Sequence, residues 1–106
     1  MTEDTQAVAQ TIAKQMGGTN RLRAMVNARN FVAHSGDGGL SFKFSGSRKA
    51  NFCRVMYDAS IDLYNFELLR IHNHGLDITP VYETKGAYDD MLIEMFESET
   101  GLYLSL

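Results

Sequence analysis

The chain of 106 residues is long enough for one domain with a modest core and too short for two. Its 44% hydrophobic and 22% charged residues exclude compositional disorder, and its longest apolar runs, a few residues each, fall far below the roughly 18 needed to cross hydrocarbon. A lone cysteine, Cys53, excludes an internal disulfide, and the acidic opening Met1-Thr2-Glu3-Asp4 is the opposite of a secretory signal, so the expected address is a reducing cytoplasm.

From Thr5 to Met16, Val8, Ile12 and Met16 recur every four residues beside Ala9 and Ala13, the stripe of an amphipathic helix. Glu3 and Asp4 lie at or just before its first turn, where the helix dipole favours negative charge, and Gly17-Gly18 closes it. Thr19 is then expected to cap a short second helix carrying Leu22, Met25 and Val26 inward, with Arg21, Arg23 and Asn27 outward.

The period changes to two at Phe31. Phe31 to His34 and Leu40 to Phe44 flank the turn Ser35-Gly36-Asp37-Gly38-Gly39, so they read as a hairpin with Leu40, Phe42 and Phe44 inward and Ser41, Lys43 and Ser45 in water. Further strands are expected at Phe52 to Tyr57, Leu63 to His72 and Ile78 to Tyr82. In the longest of these, Tyr64, Phe66 and Leu68 share one face while Leu69 and Ile71 share the other. Either both faces are covered near its end or a bulge shifts the register. Pro80 cannot donate to a ladder and places the fifth strand at a sheet edge.

Lys85-Gly86 breaks the strand pattern before a last helix, Ala87 to Glu99, whose Tyr88, Met91, Leu92, Met95 and Phe96 form an apolar stripe and which Gly101 stops. The predicted fold is thus α+β: an antiparallel meander of about five strands between an N-terminal helix, with a short second one, and a C-terminal helix. The closing segment, Leu102, Tyr103, Leu104 and Leu106, is too apolar to stand in water. It is expected either to dock on a twofold-related copy as the interface of a homodimer or to fold back on its own sheet.

Charge is unevenly placed. Residues 21 to 54 hold seven basic side chains, Arg21, Arg23, Arg29, Lys43, Arg48, Lys49 and Arg54, against one Asp, whereas residues 55 to 106 hold two basic and ten acidic ones. The basic block fits a surface for nucleic acid, with Phe52 and Tyr57 able to stack on bases if they face outward, or for another acidic partner. Alternatively the two blocks meet across the sheet or between subunits. Asp90, Glu94 and Glu97 give the last helix an acidic face, which serves solubility or competes with nucleic acid for a basic protein.

No complete catalytic, metal or cofactor constellation is legible. His72 and His74 share a strand face at a turn, but two ligands do not make a zinc site. Cys53 alternates with Val55 and Tyr57 as a small hydrophobe would. No Gly-x-Ser-x-Gly elbow occurs, and Gly36 to Gly39 joins strand to strand without the Lys-Ser/Thr pair of a phosphate loop. The reading is a non-enzymatic binding protein without metal or cofactor.

Spaced residues along nearly the whole chain carry a family resemblance. They are Thr11-Ile12-Ala13, Gln15-Met16-Gly17-Gly18, Arg21, Ala28-Arg29-Asn30-Phe31-Val32, Gly39-Leu40-Ser41-Phe42, Asp62-Leu63-Tyr64, Glu67, Arg70-Ile71, Tyr88, Phe96-Glu97 and Thr100-Gly101-Leu102-Tyr103-x-Ser105-Leu106. In these the chain resembles small uncharacterised accessory proteins of tailed phages and prophages. The resemblance implies a bacterial host cytoplasm and an accessory role exerted on a host or phage protein, such as inhibition of a defence system of the anti-CRISPR or anti-restriction type. Nucleic-acid binding in phage replication, recombination or regulation is the alternative.

Overall fold

A computed structural model describes residues 5–72 and 74–104. In it α1 (Thr5–Gln15) and α2 (Thr19–Val26) precede β1 (Arg29–His34), β2 (Gly39–Lys43), β3 (Phe52–Asp58), β4 (Leu63–His72) and β5 (Asp77–Ala87), and a 3₁₀ turn, Asp89–Met91, leads into α3 (Leu92–Thr100). The strands form one antiparallel sheet in the order β1-β2-β3-β4-β5, the meander expected from the turn spacing.

Side-chain alternation decides which face of the sheet is covered. The rows Leu40–Val55–Phe66 and Phe42–Cys53–Leu68 run across β2, β3 and β4, and all six side chains are buried in one cluster with Ile12, Met16, Leu22, Leu92 and Phe96. Phe96 of α3 meets Phe44 edge-on at 4.9 Å and Phe42 at 6.4 Å between ring centroids, so the last helix is seated by aromatic packing. The opposite face carries the row Val32–Ser41–Arg54–Glu67–Glu83, largely polar, with no helix over it among the described residues.

Gly17 and Gly18 close α1 as expected. Both have positive φ, and their amides donate to the carbonyls of Lys14 and Ala13, the paired bonds of a Schellman end. Gly38 answers a different demand: φ is 104°, and a Cβ there would fall 2.6 Å from Val8 of α1, so only glycine lets the hairpin turn pass under the helix. Gly101 stops α3 in the left-handed region, its amide donating to the Glu97 carbonyl at 2.9 Å. Glu3 and Asp4 lie outside the described residues.

Several expectations are corrected. Thr19 is the first helical residue of α2, not its cap; Gly18 holds that place, without a side-chain bond, and Met25 is exposed. β5 runs on through Lys85-Gly86 to Ala87, because Gly86 at φ 75° bends the strand where the β4 register shifts. The last helix consequently starts at Leu92, which leaves Tyr88 and Met91 exposed on the 3₁₀ turn while Leu92, Met95 and Phe96 are buried.

Ser41, expected in water, is only 2% exposed, because His34 leans over it with Nε2 at 2.9 Å from its hydroxyl. The Leu69–Ile71 ambiguity resolves into both of its alternatives: Leu69 is buried and Ile71 half-buried on the far face, and the β5 register slips between Leu68 and Leu69. Pro80 does lie on an edge strand.

The C-terminal segment folds back on its own chain. Leu104 is fully buried in the monomer core, its amide donating to Glu97 Oε2 at 2.7 Å, and Leu102 packs against the same cluster. Leu104 therefore presents no surface to a second copy. Tyr103 stays 70% exposed, and Leu106 lies outside the described residues.

Candidate anion-binding groove

Antiparallel pairing brings the start of β1, the end of β2, the start of β3 and the end of β4 to one end of the sheet. A groove of about 630 Å³ opens there, lined by Arg29, Lys43, Ser45, Ser47, Asn51, Arg70, His72 and His74 among others, with no carboxylate in its lining among the described residues.

Each wall has a local cause. α2 ends at Asn27, whose φ of 56° turns the chain into β1. Arg29 follows, and its Nη1 donates to the Asn27 carbonyl and to Ser45 Oγ, both at 3.0 Å. Asn30, also left-handed at φ 57°, lies within the register shift between Arg29 and Val32, and across this irregularity Arg29 sits directly opposite Lys43. Like charges facing each other across a ladder destabilise it, and the two side chains are both exposed.

The opposite wall is the end of β4. β3 pairs with β4 only as far as Phe52–Leu69, and Asn51 then takes over the ladder with its side chain. Its Nδ2 donates to the Ile71 carbonyl at 2.7 Å and its Oδ1 accepts the Ile71 amide at 2.8 Å. Arg70 is thereby held over the loop joining β2 to β3, with Nη1 donating to the Ser47 carbonyl at 3.3 Å. Ser47 is itself anchored, donating to the Thr100 carbonyl at 2.8 Å and accepting the Lys49 amide.

Among the described residues both guanidiniums thus bond neutral oxygens. Each has five N–H donors, so both keep donors to spare at a groove whose described lining residues bring no negative charge. This arrangement suits a phosphate or another oxyanion, for which arginine offers a planar fork and lysine a point charge.

The seven basic residues singled out from the sequence do not form one patch. Arg29 and Lys43 line the groove, and Arg48 and Lys49 are exposed on the loop that walls it. Arg21 lies against Gly17, and the Arg23 guanidinium stands 5.3 Å from the centre of the Phe31 ring, an exposed cation–π contact. Arg54 leaves the set altogether: on the bare face its Nε donates to Glu67 Oε1 at 2.7 Å, the one place where the basic and acidic halves meet as an ion pair among the described residues.

Sequence reasoning missed Arg70 and read His72 and His74 only as turn residues too few for a zinc site. Their signal was the alternation Arg70-x-His72-x-His74, hidden because Arg70 falls in the acidic half of the chain. Among the described residues no three His, Cys, Asp or Glu side chains converge as a metal site would require.

The remaining candidates fall elsewhere. Tyr57 does not face outward to stack on a base: it packs on Tyr64 at 5.5 Å and donates to Asp62, a bond that raises its hydroxyl pKa. Phe52 is half-buried between Lys43 and Leu69. Cys53 is fully buried, and burial, reinforced by Glu67, pushes its thiol far above the usual range, which removes it as a nucleophile. Asp90 and Glu94 are exposed, but Glu97 is half-buried and engaged with the Leu104 amide.

No described helix is long and apolar enough to cross a membrane. Comparison with protein-family models, with curated proteins and with solved structures gives no match for the chain.

Proposed function

We propose that the chain is a non-catalytic binding protein that grips the phosphate backbone of a nucleic acid in the groove between the β1–β2 end and the β4–β5 hairpin. The observation that carries this reading is the Arg29–Lys43 pair, two cations set opposite each other with Arg70 across from them and no carboxylate in the lining among the described residues. Facing like charges cost a ladder stability, whereas an incoming phosphate would neutralise them. Arg48 and Lys49 extend the positive surface along the loop.

A gel shift with single- and double-stranded DNA and RNA at two salt concentrations tests it. Binding that weakens steeply with salt is expected, and Arg29→Gln with Arg70→Gln should flatten the salt slope by about one per lost phosphate contact. Absence of binding at low salt would remove this reading.

A second reading follows the phage-protein resemblance, in which the chain inhibits a host defence protein by direct contact. It is favoured by one surface: Tyr88 and Met91 are exposed beside Asp90 and Glu94 on the 3₁₀ turn and the start of α3, an apolar and acidic patch suited to a basic partner. Co-purification with a host protein that is lost in Tyr88→Ser/Met91→Ser would support it, and an undiminished yield would count against it.

A further inference from the structure

The β4–β5 hairpin outreaches the rest of the sheet. Beyond the Phe52–Leu69 pair, Arg70, Ile71 and His72 keep Thr79, Ile78 and Asp77 as strand partners while β3 contributes only the Asn51 side chain, at Ile71, so past Ile71 the hairpin runs on as a two-stranded arm beside the groove. His74 and Gly75, both at positive φ, form its turn and also line the groove. The next residue, Leu76, is 85% exposed and Ile78 57%, while Ile71 opposite Ile78 is half-buried.

An exposed leucine at a hairpin tip is unfavourable in water, and here it adjoins a cation-lined cleft. A phosphate backbone seated on Arg29, Lys43 and Arg70 brings the bases of the same nucleic acid alongside the arm. The groove's phenyl ring, Phe44, is buried, and the exposed rings of its described lining are the two imidazoles of the arm, His72 and His74. Apolar side chains next to cationic phosphate contacts are the means by which proteins wedge between stacked pairs from the minor groove of a duplex. Resting on the nucleic-acid reading above, we infer that Leu76, backed by Ile78, inserts between base pairs of duplex DNA and kinks it, while the groove holds the flanking phosphates.

The experiment pairs two readouts on one sample of the full chain: anisotropy of an end-labelled DNA duplex for binding, and fluorescence of 2-aminopurine placed within it for unstacking. Wild-type protein is expected to raise both signals. Leu76→Ser should keep the salt-dependent anisotropy change, with affinity down by less than about tenfold, yet abolish the 2-aminopurine rise, and Leu76→Met should restore it. Binding without a fluorescence rise, or a rise that survives Leu76→Ser/Ile78→Ser, would overturn the wedge alone. No anisotropy change at low salt would overturn the wedge together with the nucleic-acid reading.

Discussion

Phe42 and Phe44 lie one residue either side of Lys43 at the end of β2, yet the two kinds of position are governed by opposite physics. The phenylalanines disappear beneath α3, where Phe96 closes over them, and every neighbour supports the same packing. Lys43 points into an open groove and faces Arg29, where the neighbours work against one another. Packed positions explain why the chain folds. The opposed cations repel each other, although Arg29 also bonds Asn27 and Ser45, and that contrast marks the groove as the place to seek a ligand.

The largest effect should come from the packed side. Phe96→Ala would leave a cavity under α3 and cost about 3–5 kcal/mol in chemical denaturation. The same titration can follow Cys53, whose buried thiol should stay silent to an aromatic disulfide reagent until the protein unfolds. Rapid native-state labelling would show that the core is open.

Next is the tail. Leu104→Ala should cost about 2–4 kcal/mol while leaving the mass by light scattering unchanged, since Leu104 fills its own chain's core. A mass that falls on the substitution would instead return the tail to an interface between copies.

Smaller still is the effect of the Arg54–Glu67 ion pair on the bare face. Arg54 and Glu67 are 38% and 25% exposed, so Arg54→Ala should cost less than about 1 kcal/mol after solvent screening. At the far end of the scale the sign reverses. Lys43→Gln removes the like-charge opposition and should stabilise the fold by roughly 0.2–0.5 kcal/mol while weakening binding. A loss of stability there would show that Lys43 has a structural role and would blunt the contrast.

The sequence made the packed half legible, because periodicity reports burial directly: Leu40, Phe42, Phe44 and Phe66 alternate as their neighbours require. It misread places where backbone geometry outweighs pattern. Gly86 bends β5 without ending it, so Tyr88 and Met91 fell out of the helix stripe, and His34 covers Ser41 through a contact that no period encodes. The groove was half legible. Arg29 and Lys43 stood out by charge, but Arg70 joins them only through antiparallel register and the Asn51 side-chain ladder, both of which are tertiary facts. Arg54 was grouped with them by sequence position, but it stands opposite Ser41, further along the strands than Lys43, and beside Glu67, with which it pairs.

Amide chemical shifts followed during titration with a short DNA duplex test the groove assignment most directly. The expected changes cluster at Arg29, Lys43 to Ser47, Asn51 and Arg70 to Leu76, shrink as salt rises, and leave Glu94 to Thr100 of α3 in place. Changes centred on Tyr88 to Glu94, or on Arg54 and Glu83 of the bare sheet face, with the groove amides unmoved, would contradict it.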